Sequence, residues 1–236
     1  MSLKKNTSGG STKGTTMTNG IKSPEKASRK VFRRYFALIF VLWILLVLYP
    51  NPANLVITIH RVLNFDADPG AVQSMLNDLP SDSTDIEKAV LARIHYGYDW
   101  EVYGMPWYCP TVEQVLARGA GDCKCRALVL ASVLEAKNIT YEVHVSPIHV
   151  WVSYEGKNQT SVENAQVEYF RYDPQTGERR LKLPDIAPSK VANSYVKAFW
   201  DPMPDGRKVL LISGLLGLIA ARVVVRKKKT VQPTSG

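Results

Sequence analysis

The chain has 236 residues, 45% of them hydrophobic, 22% charged and 9% aromatic, with 15 Gly, 14 Pro and a net charge of +9. That length holds one domain of ordinary size with additional segments, and the composition excludes collagen-like, low-complexity and wholly disordered chains. Three cysteines exclude a disulfide-stapled miniature fold, a class dense in cysteine.

The averages conceal a strong segregation. Met1 to Arg34 holds nine Lys/Arg against one acid, Glu25, among Ser, Thr and Gly, so residues 1–30 read as a disordered basic tail. Tyr35 to Tyr49 has no polar residue besides its terminal tyrosines, and Pro50-Asn51-Pro52 stops it. Fifteen helical residues reach about 22 Å, short of a hydrocarbon core of roughly 30 Å. Extension back to Val31, with Arg33 and Arg34 snorkelling, completes the reach, and residues 31–50 are expected to form a first transmembrane helix. Val209 to Val225, interrupted by Arg222 and followed by Arg226 to Lys229, predicts a second over residues 208–225, with 226–236 a second basic tail.

Residues 51–207 between them hold fifteen Lys/Arg against twenty Asp/Glu. The positive-inside bias puts both basic termini in the cytoplasm and the acidic middle outside, giving a two-pass protein of the cell membrane in contact with the lipid bilayer. The rivals are buried core helices for both runs and a cleavable signal peptide for the first, although Asn51-Pro52-Ala53 lacks the small-x-small cleavage pattern. Nucleic acid is not an expected partner, because the positive charge lies in the tails and the folded region is acidic.

In chain order, Ala53 to Leu63 fits either a continuation of the first helix or an amphipathic connector. Asp68-Pro69 predicts an N-cap followed by proline, opening a short helix that ends near Leu79-Pro80. Ser81 to Asp85 starts another, with Ile86, Ala89, Val90 and Ile94 on one face. An aromatic loop follows from Tyr96 to Tyr108. Thr111 and Gln114 form a capping box for a helix to Arg118, which Gly119 to Asp122 interrupts. Cys123 to Lys137 is apolar nearly all round, as expected of a central helix covered by its neighbours. The pattern then alternates: Tyr141 to Val145, a Ser146-Pro147 break, Ile148 to Val152, and a turn at Glu155-Gly156-Lys157. Helices first and antiparallel strands after them argue an α+β fold.

Cys123 opens the central helix, where unpaired N–H groups and the helix dipole favour a thiolate nucleophile. A strand packed against that helix would bring His149 to the sulfur as base, and Glu163 or Asn164 is placed to fix the imidazole. Most cysteines are small core residues and most strand histidines are ordinary, so the assignment rests on their combination.

Thr111 to Leu116, Gly121-Asp122-Cys123, the long apolar helix and His149-Val150-Trp151-Val152 together resemble the transglutaminase-like superfamily, which shares the papain-type thiol fold. The aromatic loop and Trp200 to Pro204 resemble its membrane-attached prokaryotic branch, and the likeness covers about residues 84–170. The resemblance implies a papain/transglutaminase-like core with Cys123 as nucleophile and His149 as base. The family usually has an Asp in the third position, where this chain has Val162-Glu163-Asn164. Glu163 is the first choice, Asn164 the next, and Asp173 the match if the hairpin is longer. The implied chemistry is attack on a carboxamide of a protein or peptide substrate, a thioester, and resolution by an amine or water, with no cofactor or metal. The Cys123 N–H would serve as an oxyanion donor, Trp151 would shield the site or simply pack in the core, and Asp122 is preferred as an N-cap.

Three other readings compete. Cys109, Cys123, Cys125, His144 and His149 are all zinc-ligand types, but no Cys-x2-Cys knuckle is present. Cys109 and Cys125 suit a disulfide that leaves Cys123 free, with Cys125 about 200° round the helix from Cys123. A catalytically silent, membrane-tethered binding or scaffold module would keep the fold without turnover. Asn138-Ile139-Thr140 and Asn158-Gln159-Thr160 match the glycosylation pattern in the part expected outside. The enzyme reading predicts that Cys123 alkylates with iodoacetamide faster than a model thiol at mildly acidic pH, and that His149→Ala removes the advantage; equal rates in both proteins would favour the scaffold.

Overall fold

The computed structural model describes residues 24–158, 160–163 and 166–231. Most of the expected N-terminal tail, the end of the C-terminal one and Asn164 lie outside the described residues. The chain divides into two units, residues 1–39 and 40–236. In the first, the described residues form the opening stretch of helix α1 (Pro24–Leu48). The second unit holds the remainder of α1 and every other element.

Helix α2 (Pro52–Leu63) begins afresh after the Pro50-Asn51-Pro52 break, with the Asn51 side chain accepting from Ala53 N at 3.0 Å. Among the described residues no single helix is long and apolar enough to cross a membrane; Arg34–Leu48 and Pro52–Val62 reach that measure only together, bent by 83° at the break. The long C-terminal helix, designated α8 below (Asp205–Val231), runs antiparallel to residues 40–48. Near its start Arg207 donates to the carbonyls of Val47 and Leu48, at 3.1 and 3.4 Å. Two turns on, Gly214 leaves the space that the Trp43 indole fills, and any Cβ there would overlap the ring.

The main core forms around α6 (Cys123–Ala136). Its residues from Cys125 are buried on nearly every side, as its all-round apolar sequence requires. Ile86 and Val90 cover it from α3 (Ser83–Arg93), and Val112 and Val115 from α5 (Val112–Arg118). Each fully buried side chain of this kind contributes about 1.5–3 kcal/mol relative to exposure. Helix α3 is capped by Asp82, which accepts from Thr84 N and Asp85 N. The Thr111/Gln114 capping box opens α5, and Gly119 ends it in the left-handed region (φ 61°).

Between these helices lie β1 (His95–Tyr96), the short α4 (Asp99–Val102) and β2 (Ala120–Gly121); β1 and β2 pair in parallel and tie the end of α3 to the loop before α6. The sheet against α6 is antiparallel with order β4-β3-β5-β6, where β3 is Tyr141–Val145, β4 Val150–Tyr154, β5 Phe170–Tyr172 and β6 Arg179–Leu181. The inner residues Val143 and Val152 face each other across β3 and β4, and His144 pairs with Trp151. Helix α7 (Pro188–Tyr195) and one π-helical turn, Val196–Trp200, lead into α8.

The α+β reading and the antiparallel pair therefore describe the molecule, with local differences: residues 24–30 and 226–231, expected in the tails, belong to the backbones of α1 and α8, and the aromatic loop contains α4. The segment after Asp68 is a turn and a 3-10 helix, Gln73–Asp78, because the Asp68 carboxylate closes a local turn on Ala71 N and Pro80 follows too soon for a longer helix. His149 precedes β4, since the Ser146 hydroxyl accepts from the N–H groups of Ile148 and His149 and holds a tight turn. The sheet gains β5 and β6, whose few alternating residues carried no clear signal.

Gly121 sits against α6 so closely that a Cβ would come within 2.8 Å of Cys125 Sγ. Gly121→Ala is expected to destabilise the domain by about 1–3 kcal/mol, read as a lowered midpoint in urea with unchanged m-value.

Candidate active site

Asp122 is the N-cap of α6. Its Oδ1 accepts from Lys124 N at 3.2 Å and from Cys125 N at 3.3 Å, a cap that does not use the N–H of Cys123. Cys123, first residue of the helix, is partly exposed and opens onto a cleft of about 170 Å³. The same cleft is lined by His149, Trp151, Glu163, Lys157 and Arg126. The turn before β4 delivers the imidazole to the head of α6, and the segment after β4 brings back a carboxylate: His149 Nε2 lies 3.5 Å from Glu163 Oε1.

Glu163 is 8% exposed, and its charge is compensated from several directions. Lys157 Nζ donates to Glu163 Oε1 at 3.2 Å, to Glu87 Oε1 at 2.8 Å and to the Val152 carbonyl at 2.8 Å. Thr160 N–H donates to Glu163 Oε2 at 3.4 Å, and Tyr154 O–H to Glu87 Oε2 at 2.6 Å. Burial opposes ionisation of Glu163, but the bond to His149 and the Lys157 ammonium outweigh it and hold the carboxyl down at about 2. Burial likewise opposes charge on His149, yet hydrogen bonding to Cys123 and Glu163 raises it to about 9. At neutral pH the pair is imidazolium and carboxylate.

The imidazole is also supported from its face. The rings of His149 and Trp151 are nearly parallel (10°) with centroids 5.9 Å apart, and Trp151 is likewise nearly parallel to His144 (9°) with centroids 5.1 Å apart. His144 is pinned at both nitrogens, Nδ1 by Glu168 Oε2 at 2.6 Å and Nε2 by Ser153 Oγ at 2.7 Å. Trp151 is 3% exposed, so it packs in the core and supports the imidazole at once.

A second polar cluster lies beneath the head of α6. Lys124 Nζ donates to both carboxylate oxygens of Asp99 at 2.7 Å and to Asp122 Oδ2 at 2.6 Å. Burial and the Asp122 charge push Asp99 up, while the ammonium and the Tyr108 N–H pull it back. Asp99, Asp122 and Cys125 bring ligand atoms within 4.8 Å of one another, a set in which a metal ion would compete with the Lys124 ammonium. The three cysteines are free thiols, so Cys109 and Cys125 are not bridged. Burial pushes both of those thiols up, and Cys123 is the cysteine that lines the cleft.

The structure thus brings together Cys123, His149 and Glu163 of the residues singled out in the sequence. Asp173 is elsewhere, in the turn between β5 and β6, where its carboxylate accepts from Gln175 N, Thr176 N and the Thr176 hydroxyl. Lys157, Glu87 and the His144/Glu168 pair were not anticipated. Lys157 follows a turn glycine, where a lysine is ordinarily solvated, and nothing in the local sequence marks it as buried. No family model, curated protein or solved structure matches the chain.

Glu163→Gln removes the charge facing His149, so the imidazole should fall from about 9 toward its ordinary 6.5, followed by NMR of the ring protons. Linkage gives the sign in the unaltered protein. The raised His149 stabilises the fold fully below 6.5 and the benefit is lost as pH rises through 9; the depressed Glu163 stabilises above 4.5 and the benefit is lost as pH falls through 2. Glu163→Gln should flatten the alkaline limb of a stability profile.

Proposed function

We propose that the chain is a membrane-anchored, transglutaminase-like thiol enzyme that acts on carboxamide groups of proteins or peptides. The observation that carries this reading is the convergence of Cys123, His149 and Glu163 in one cleft from three separate elements. A thiol heading a buried helix, against an antiparallel sheet entered through the histidine, is the arrangement that a papain-type core requires.

In the proposed reaction the Cys123 sulfur attacks the carboxamide carbon, and the tetrahedral oxyanion takes a hydrogen bond from the Cys123 N–H. His149 gives its proton to the departing nitrogen, which leaves as ammonia or an amine, and a thioester remains. An incoming amine or water is deprotonated by His149 as it attacks the thioester. Collapse expels the Cys123 sulfur, and the proton taken from the amine or water stays on His149. Glu163 stays ionised throughout, holds the ring and stabilises its charged form. Lys157, itself paired with Glu87, holds Glu163, and the Trp151–His144 stack limits tilting of the ring. Arg126, whose guanidinium lies 5.2 Å from the Tyr96 ring centroid, lines the approach.

The same reading places the domain outside the cell membrane, with residues 31–50 and 208–225 as its two anchors and both termini cytoplasmic. Support comes from the charge distribution, from the antiparallel course of residues 40–48 and α8, and from the exposed apolar side chains on that pair, among them Leu42, Leu46, Val209 and Leu216. A silent scaffold on the same fold needs no ionised pair facing a thiol.

In native membranes the intact protein should incorporate a labelled primary amine into a glutamine-containing protein, or release ammonia from it, and Cys123→Ala should abolish both. Turnover that persists in Cys123→Ala or Cys123→Ser would remove the enzyme assignment. His149→Ala should lower the rate by about 10²–10⁴-fold.

A further inference from the structure

The domain carries a second, smaller core of Leu48, Tyr49, Trp100 and Met203, joined by Ile44, Leu55 and Phe199. It forms a collar where residues 40–48, α2, the aromatic loop and the start of α8 meet. Tyr49 O–H donates to the Pro106 carbonyl at 2.8 Å, and the Arg207 guanidinium lies 5.1 Å from the Trp100 ring centroid. These contacts lock the aromatic loop to the root of the helix pair.

Two apolar surfaces border this collar on the outside. On α2 the exposed large apolar residues are Val56, Ile57, Ile59 and Val62, with His60 exposed among them. Val56, Ile59 and Val62 are three apart and therefore share one stripe of the helix, while Thr58 is buried and accepts from Cys109 N. Beside it stands an aromatic shelf. Trp107 is half exposed, stacked on Phe199 at 5.0 Å and edge-on to Tyr195 at 6.0 Å, and Tyr195 and Trp200 are exposed as well. Trp107 has a φ of 46°, a left-handed backbone that a bulky residue keeps only where its surroundings hold it there.

We infer that the apolar stripe of α2 and the Trp107/Tyr195/Trp200 shelf form an interfacial footprint that seats the domain on the headgroup layer of a lipid bilayer. The occupant follows from chemistry and continuity. Indole and phenol rings combine an apolar body with a polar tip and concentrate at the boundary between hydrocarbon and water. The collar beneath them is the root from which the exposed apolar faces of residues 40–48 and α8 continue. The 83° break before α2 suits a helix lying in the interface plane beside a segment that enters it. The inference deepens the membrane reading and rests on it. It adds that the domain is docked on the bilayer surface, so that its substrates are presented close to the membrane.

Depth-resolved quenching tests it on the full chain. The protein is reconstituted into phosphatidylcholine vesicles whose acyl chains carry bromine either near the headgroup or near the terminal methyl. Indole emission is compared with that of Trp107→Phe, Trp200→Phe and Trp43→Phe. The emission lost on removing Trp107 or Trp200 should be quenched by the shallow bromines and little by the deep ones. Ile59→Trp in the doubly substituted Trp107→Phe/Trp200→Phe background should restore shallow quenching, an independent reporter on α2. Trp43, inside the helix pair, reports on spanning and should respond to the deep bromines. Quenching of Trp43 with none at Trp107, Trp200 or Ile59→Trp overturns the footprint and leaves the spanning reading intact. Shallow quenching without a Trp43 response leaves a surface-seated protein and overturns the two-pass reading.

Discussion

The candidate site depends on a buried ammonium. Lys157 has only 6% of its side chain exposed, and a charge in that position must be neutralised by its surroundings. Glu87 on α3, Glu163 in the segment after β4 and the Val152 carbonyl on β4 do so together. Breaking a buried pair of this kind by removing one partner costs about 3–5 kcal/mol. The need to satisfy Lys157 therefore draws in the loop that carries Glu163, and with it the carboxylate that faces His149. Polarity at the site follows from this: with the lysine on one side and the imidazole on the other, Glu163 remains ionised across the physiological range.

The thiol end of the site is set by different physics. Asp122 caps α6 with one carboxylate oxygen and binds Lys124 with the other, and Lys124 in turn carries Asp99. Asp99 also accepts from Tyr108 N, so the cap, the aromatic loop and α4 are tied together. The close approach of Gly121 to Cys125 removes the remaining freedom in how the chain enters the helix. Cys123 is thereby presented at a fixed height above the sheet, while Cys125, facing the interior, is withdrawn from solvent. The His144–Trp151–His149 stack supplies the matching constraint from the sheet side, built on the β3/β4 register that sets His144 opposite Trp151.

On the membrane side, the proposed anchoring and the chemistry share a mechanical link. The aromatic loop that contributes Asp99 to the cluster below Cys123 also packs Trp100 into the collar at the root of α8. A domain seated on a bilayer through that collar would hold its cleft in a defined orientation to lipid. Substrate choice would then depend on how close a protein lies to the surface as well as on its sequence.

Local physical chemistry made much of the α+β scaffold legible in the chain alone. A Thr/Gln capping box, an Asp just before the first helical residue, an apolar run without a polar face and period-two alternation each state a backbone preference over a few residues, and α3, α5, α6, β3 and β4 follow them. The pairing of Cys123 with His149 was legible for the same reason, since a helix start and the entry to the next strand but one have few ways to pack. Tertiary structure alone decided the partners that tune them. Lys157, Glu87, Glu168 and the β5–β6 hairpin come together through burial and cross-strand register, which depend on contacts between residues tens of positions apart. Electrostatic neutralisation of a buried charge has no period and no spacing, and so it leaves no mark on the sequence that a local reading can find.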